Sequence, residues 1–315
     1  MNIEEKIQEN IPLAEFSTFK IGGSAKYFIE TKDKNEIGEA FRWASKKDVR
    51  VFIMGGGSNL VINDDGVKGL VLKLANNETQ VKGERLECGA GAGLAKAASL
   101  SIRNNLSGLE WAVGIPGATV GGSVLGNAGA FGCTTSDVVE TVEVYNYKKR
   151  SFEIFSKNFC KFSYRNSIFK DSRNYLIYKV VFKLSAGIAK KINSDMERVL
   201  KSRLSVQPKL PNAGCIFKNL QFSEILNNNE WLAGKIEDEG VVKSDKLGAG
   251  WLIEQAGLKG KTIGGAKISL EHANFIVNTG NASSEDVIML ISFVKQQIRD
   301  KFKIQLYEEV QYFGY

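Results

Sequence analysis

The chain has 315 residues, 43% of them apolar and 24% charged, enough apolar material for two or three packed domains and too much for a disordered chain. Its formal charge of +7 and pI near 9.0 point to anionic partners. The lysines and arginines are scattered, however, without a basic arm, an RNP-like stretch or a zinc-finger pattern, so phosphorylated small molecules fit and no nucleic-acid role is expected.

From the N-terminus, "MNIEEKIQEN" is charged and polar, and no apolar run approaches the roughly 18 residues that span a bilayer, so a soluble, cytoplasmic protein is expected. Ile37, Ala40, Phe41 and Ala44 fall at helical spacing between Lys34 and Lys46, and strand-like "VFIM" and "GGGSNLVINDDG" follow. "GLVLKL" reads as a strand and "GLAKAASLSIRNN" as a helix. "ETVEVYNY", "SFEIF" and "NYLIYKVVFKL" read as strands rich in β-branched and aromatic residues. "GIAKKINSDMERVLKSRLS" reads as one long helix near a domain boundary. Ser283 and Asp286 form a capping-box start for a helix with Val287, Leu290, Ile291, Val294 and Ile298 as its apolar stripe. "KIQLYEEVQYF" reads as a closing strand.

Cys88, Cys133, Cys160 and Cys215 lie far apart, with no CxxC pair, and His272 is the one histidine, so a structural metal site is not expected. In a reducing compartment each thiol reads first as an inert core residue. Glycine carries more information. In "MGGGSNLVINDDG" three glycines with Ser58 and Asn59 follow an apolar strand, a pattern that lets backbone N–H groups converge on an anion. It lacks the GK[ST] of a Walker loop and the GxGxxG of a dinucleotide fold, and "CGAGAGL" is spaced GxGxG. Residues 108–132, "GLEWAVGIPGATVGGSVLGNAGAFG", combine dense glycine with almost no charge, which admits a flat ligand whose oxygens meet N–H groups, or else a tightly wound glycine hairpin.

Taken in order, "FSTFKIGGSAKYF", "GGGSNLVINDDGVKGLVLKL", "GIPGATVGGSVLGNAGAFG", "YRNSIF", "QPKLPNAGCIFKN", "GWLIEQAGLKGKTIGGAKISLEHANFIVN" and "LYEEV" resemble the UDP-N-acetylenolpyruvoylglucosamine reductases over nearly the whole chain. The resemblance implies an α+β fold: a two-lobed FAD-binding domain of the PCMH type over residues 1–190, with lobes of about 1–66 and 67–190. A smaller α+β substrate-binding domain would follow over 191–315, its C-terminal strand contributing to the active site. It implies non-covalent FAD, NADPH as hydride donor and a UDP-linked enolpyruvyl sugar as substrate, with no membrane and no obligate protein partner. The missing insertion between "YRNSIF" and "QPKLPNAG" resembles the family's shorter type, without a substrate-covering loop. GIPGATVGG is one residue longer than expected, LYEEV stands where LExEV is usual, and Cys215 replaces the commoner serine of NAGSxFKN.

By motif position the cofactor would be bound by Gly55, Gly56, Gly57, Ser58, Asn59, Leu60, Gly114, Ile115, Pro116, Gly117, Thr119, Gly121, Gly122, Gly126, Asn127, Ala128 and Gly129. Arg165 would bind the substrate carboxylate through its forked donors, Cys215 would give the proton and Glu309 would polarise the intermediate. Tyr164, Arg203, Lys218, Asn219 and His272 would contact substrate. Two tensions stay open. As a bare thiol Cys215 is a buried hydrophobe; within the motif it is an acid. Strand alternation puts Glu308 on the face of Ile304, Leu306, Val310 and Tyr312, making it the intruder there, whereas the motif makes Glu309 the catalytic one. Another FAD-dependent oxidoreductase of the same superfamily, or a non-catalytic nucleotide-binding protein, is the alternative.

Overall fold

In a computed structural model that describes residues 3–172, 174–226, 230–242 and 245–315, the chain divides into two compact units. The first comprises the residues up to Ile11, Ala25–Gly57 and Val67–Ser205; the second comprises Pro12–Ser24, Ser58–Gly66 and Val206–Tyr315. Each has its own apolar core. No helix among the described residues is long and apolar enough to cross a membrane.

The first unit is built on two sheets. In one, Gln8–Pro12, Ser24–Thr31, Val67–Leu74 and Val51–Met54 lie in that order, the last three strands parallel. Helix Lys34–Lys46 begins on Asp33, whose side chain accepts from the N–H groups of Asn35 and Glu36, and buries Ile37, Ala40, Trp43 and Ala44. The first sheet therefore takes in Val67–Leu74, which a lobe division at residue 66 leaves outside. The other sheet is antiparallel, ordered Ser151–Ser156, Val139–Asn146, Tyr175–Lys183, Arg85–Gly89 and Thr79–Lys82. These are the strands expected from "ETVEVYNY", "SFEIF" and "NYLIYKVVFKL", and their β-branched and aromatic residues supply much of the buried surface. The long helix is Ala189–Val206. It buries only Ile192 and Val199, and Ile192 Cδ1 comes so near Gly187 that a Cβ there would sit 2.9 Å from it. The helix belongs to the first unit as far as Ser205.

The second unit has a sheet ordered Asn212–Cys215, Phe275–Asn278, Ala266–Ile268 and Thr262–Ile263. Helix Ser284–Phe302 packs with it, burying Val287, Leu290, Ile291, Val294 and Ile298, and opens on the capping box of Ser283 and Asp286 that the sequence carries. Two segments distant in sequence join this unit through specific bonds. Asn278 Nδ2 donates to the carbonyls of Phe19 (3.2 Å) and Lys20 (3.4 Å), and the N–H of Asn212 donates to the carbonyl of Thr18 (3.2 Å). Leu60–Ile62 pairs in parallel with Gln311–Phe313.

That last pairing corrects the closing strand. Regular strand covers only Gln311–Phe313; residues 303–310 form no regular strand, starting at the left-handed Lys303 (φ 60°) and making a single bridge, Phe217 to Glu308. Burial alternates as expected through Ile304, Leu306 and Val310, then slips, leaving Tyr312 42% exposed and Phe313 buried. The phase changes because the chain changes partner, from residues 216–218 to Leu60–Ile62, with the N–H of Gln311 donating to the carbonyl of Asn59.

Asn278 is 4% exposed, and its Oδ1 also accepts from the N–H groups of Gly280 and Ala282. Asn278→Ala strands these partners, so unfolding measured by denaturant should show a loss of about 1–3 kcal/mol. A change below about 0.5 kcal/mol would mean that the amide does not tie the 12–24 segment down.

Candidate functional site

In the first unit the two glycine segments converge. Gly55–Gly57 follow strand Val51–Met54, and a Cβ on Gly56 would lie 1.8 Å from the carbonyl oxygen of Gly117, one on Gly55 2.7 Å from Thr119 Oγ1. Only glycine allows this approach. Thr119 caps the helix Val120–Leu125, accepting from the Gly122 N–H, while the N–H groups of Val120 and Gly121 donate to the carbonyls of Ala92 and Ala90, each at 2.8 Å. The amides at this helix start are thus engaged within the protein, contrary to the expectation that they stand open to an anion. A Cβ on Gly121 would sit 2.9 Å from Ala90 Cβ, which accounts for that glycine by packing. The same contact explains "CGAGAGL": Gly89 and Gly91 run so close to the Asn76 and Leu74 carbonyls that a Cβ would lie 2.1 and 2.5 Å from them. That stretch is a packing element, not a dinucleotide loop.

Arg165 lies at the far end of the glycine segment. Tyr164 and Arg165 form a two-residue turn closed by reciprocal N–H to carbonyl bonds between Ser163 and Asn166, with Arg165 at φ 54°. Asn127, itself at φ 43° and buried, donates through Nδ2 to the Ser163 carbonyl and accepts at Oδ1 from the Ser136 N–H. Arg165 Nη2 donates to the Gly129 carbonyl at 2.9 Å, and its guanidinium lies 5.4 Å from the centre of the Tyr164 ring. Two non-glycine residues in left-handed conformation, bonded into one cluster, are the kind of strain that a fold retains at working positions. Arg203, from helix Ala189–Val206, lays Cγ and Cδ against the space left by Gly114 and its guanidinium over Phe131, 5.6 Å from the ring centre. The segment 108–132 therefore has two guanidinium groups beside it. An uncharged glycine-rich stretch with flanking arginines suits a flat, phosphate-bearing ligand.

In the second unit Cys215 ends the strand Asn212–Cys215 and pairs with Phe275 across a register shift. Asn212 Oδ1 accepts from the N–H of Gly214, which sits at φ 78°, and this local turn sets the thiol off the regular ladder; Cys215 is half-buried. The next residues are bonded on both edges. Asn274 takes the Phe217 N–H on Oδ1 (2.9 Å) and gives Nδ2 to the Phe217 carbonyl (2.8 Å), while its own carbonyl accepts from Ile216. On the other side the Ile216 carbonyl accepts from the N–H of Glu309 at 2.7 Å, and the N–H of Lys218 donates to the Tyr307 carbonyl at 2.9 Å. Cys215 and Glu309 are thereby joined through a single intervening residue.

The adjacent Glu308 is ion-paired with Lys295 at 2.8 Å. Asn59 Nδ2 donates to the Glu309 carbonyl at 3.1 Å, so Asn59 and Leu60 belong to this cluster. Asn219 Oδ1 accepts from the N–H of Ala249 at the start of helix Ala249–Gln255. His272 Nδ1 accepts from the Asn274 N–H, and its ring lies 4.9 Å from that of Phe275. Burial holds the imidazole pKa below its ordinary value. His272 thus sits two residues from Asn274, a residue that sequence reading missed. Only its place beside "GCIFKN" in the fold reveals it.

None of the four cysteines forms a disulfide. Burial pushes the thiols of Cys88 and Cys160 up to about 12, as inert core residues require. Cys133 departs from that expectation: it is exposed on the short hairpin Gly129–Ala130 and Cys133–Thr134, whose turn projects Phe131 and Gly132.

The C-terminal domain model of UDP-N-acetylenolpyruvoylglucosamine reductase matches residues 207–313, and a FAD binding domain model matches residues 25–149. The chain is 35% identical to the UDP-N-acetylenolpyruvoylglucosamine reductase of Solibacter usitatus over 98% of its own length and 97% of that protein, and 34% identical to that of Desulforamulus reducens over 99% and 95%. Among solved structures, the crystal structure of UDP-N-acetylenolpyruvylglucosamine reductase from Thermus caldophilus superimposes with a TM-score of 0.78 at 31% identity, over 98% of this chain and 99% of that one.

Two outcomes follow from this geometry. Gly56→Ala forces its Cβ into the Gly117 carbonyl, so flavin titration should show binding weaker by roughly tenfold or more, a change that about 1.4 kcal/mol suffices to produce. His272 is neutral when folded down to a pH below the roughly 6.5 of an exposed histidine. Its contribution is full above about pH 6.5 and is lost as pH falls from there towards the folded value, by up to about 1.4 kcal/mol per pH unit. Because no other histidine exists in the chain, His272→Gln should flatten the dependence of unfolding free energy on pH just below about 6.5; an unchanged slope would assign it to carboxylates.

Proposed function

The chain belongs to the UDP-N-acetylenolpyruvoylglucosamine reductase family, and we propose that it reduces the enolpyruvyl ether of UDP-N-acetylglucosamine enolpyruvate to UDP-N-acetylmuramate, with NADPH as the hydride source. It carries a FAD-binding domain and is an FAD-dependent oxidoreductase. Gly55–Gly57, Gly114, Gly117 and Thr119 would hold the cofactor, whose chemistry when bound is to take hydride from the nicotinamide and deliver it to the substrate's methylene carbon. Residues up to about 190 form the cofactor domain in this reading, and those beyond it the substrate domain. A water-soluble nucleotide sugar as substrate fits a cytoplasmic enzyme of peptidoglycan precursor synthesis.

The protein's own groups supply the rest. Hydride arriving at the methylene carbon pushes the π-electron pair through the neighbouring carbon onto the carboxylate, which becomes enolate-like and gains charge. Arg165 neutralises that charge with two parallel donors from a fixed fork, and a rigid cation is worth most where charge develops. Cys215 gives its proton to the neighbouring carbon, and the resulting thiolate is reprotonated from solvent. A thiol with an ordinary pKa near 8.5 is mostly protonated at neutral pH and gives up its proton more readily than a serine hydroxyl, so cysteine can stand where the family commonly has serine. Glu309 polarises the developing enolate. Tyr164, Arg203, Lys218, Asn219 and His272 contact the substrate, whose diphosphate gives the basic residues a use.

The observation that supports this reading is the bond from the Glu309 N–H to the Ile216 carbonyl, which joins Cys215 to Glu309 through one residue, while Glu308 is paired with Lys295. Its test separates the two half-reactions by stopped flow. Cys215→Ser should retain measurable turnover. Cys215→Ala should let NADPH bleach the flavin at the wild-type rate and then slow reoxidation by the enolpyruvyl sugar nucleotide by roughly 100-fold or more, the usual weight of a general acid. Wild-type turnover in the Ala variant would return Cys215 to the role of a buried hydrophobe. Flavin reduction without any reoxidation by the enolpyruvyl sugar in the unmodified protein would favour another oxidoreductase of the same superfamily.

A further inference from the structure

We propose that the Lys295–Glu308 ion pair is a positioning element that holds Glu309 in register for the reaction, an inference that rests on the reading of Glu309 as the polarising acid. The stretch 303–310 is secured by little regular structure: one bridge, Phe217 to Glu308, made by the bonds from Glu309 to Ile216 and from Lys218 to Tyr307, together with the bond from Asn59 to the Glu309 carbonyl. Its apolar anchors are Ile304, Leu306 and Val310, all buried, and Glu308 falls in phase with them. A carboxylate in that phase, its side chain 24% exposed, is tolerated only beside a counter-charge.

Lys295 supplies it from a rigid base. It lies on helix Ser284–Phe302 between the buried Val294 and Ile298, and its Nζ stands 2.8 Å from Glu308 Oε1. Lys295 also borders an open surface depression with Ser292, Gln296, Arg299 and Gln305. With the pair partly withdrawn from water, screening is weaker than at an open surface. Without Lys295, the uncompensated carboxylate turns towards solvent and rotates the backbone it shares with Glu309. A shift of about an ångström at a reacting group can cost on the order of 100-fold in rate. The pair therefore acts on the reaction through Glu309 and does not touch substrate.

The test uses the FAD-loaded enzyme and follows both half-reactions together with thermal unfolding. Lys295→Met should leave flavin reduction by NADPH unchanged and slow reoxidation by the enolpyruvyl sugar roughly 10- to 100-fold, mainly in kcat. Lys295→Arg should recover most of the rate, as should the exchange of charges in Lys295→Glu with Glu308→Lys. Wild-type reoxidation in Lys295→Met would overturn the proposal, as would a loss that neither Lys295→Arg nor the exchanged pair recovers. Glu309→Gln, measured alongside, separates the two levels. If it is slow while Lys295→Met is normal, the positioning role alone fails; if it turns over as wild type, the assignment of Glu309 fails and the positioning role with it.

Discussion

The chemistry assigned to the second unit depends on a few residues of backbone, Cys215 to Lys218, being hydrogen-bonded along both edges. Asn274 closes one edge with its own carbonyl and both ends of its amide, and Tyr307 and Glu309 close the other. A buried asparagine that satisfies a neighbour's N–H and carbonyl at once replaces the ladder bonds that a continuous strand would have supplied. Because Ile216 accepts from Glu309 and is covalently next to Cys215, thiol and carboxylate positions are set by the same two peptide groups. Little else could hold them together, as their sequence positions are nearly a hundred residues apart.

The first unit solves a different problem by different means. Its two glycine segments need close approach more than bonding, and the approach of Gly56 to the Gly117 carbonyl leaves no room for any side chain. The arginines are then added from outside: Arg165 from a strained two-residue turn fastened by Asn127, Arg203 from a mostly exposed helix whose position is marked by Ile192 and Gly187. In the proposed reading the first unit serves binding and the second proton transfer.

Several features that look functional in the sequence are packing devices. The glycines of "CGAGAGL" let Gly89 and Gly91 pass against the Asn76 and Leu74 carbonyls, and the amides of Val120 and Gly121 are consumed by Ala92 and Ala90. Glycine permits close approach without saying what approaches, whether a ligand or another part of the chain. Conversely, Asn274 carries no motif signal of its own. An asparagine in "EHANFIVN" is unremarkable until the fold sets it across from Phe217.

The sequence by itself determined the elements whose signal is local: helix Lys34–Lys46, the capping box of Ser284–Phe302, and the β-branched and aromatic strands of the antiparallel sheet. Side-chain period and capping chemistry act within a few residues, so they are written in a few residues. The family was legible too, because its motifs hold their order along the chain. Tertiary structure alone decided that Pro12–Ser24 and Ser58–Gly66 join the C-terminal unit, that the closing segment changes partner after Val310, and that Lys295 pairs with Glu308. Each of these turns on a partner dozens to hundreds of residues away, and pattern along a chain carries no record of which distant group will arrive to satisfy a carboxylate or a carbonyl.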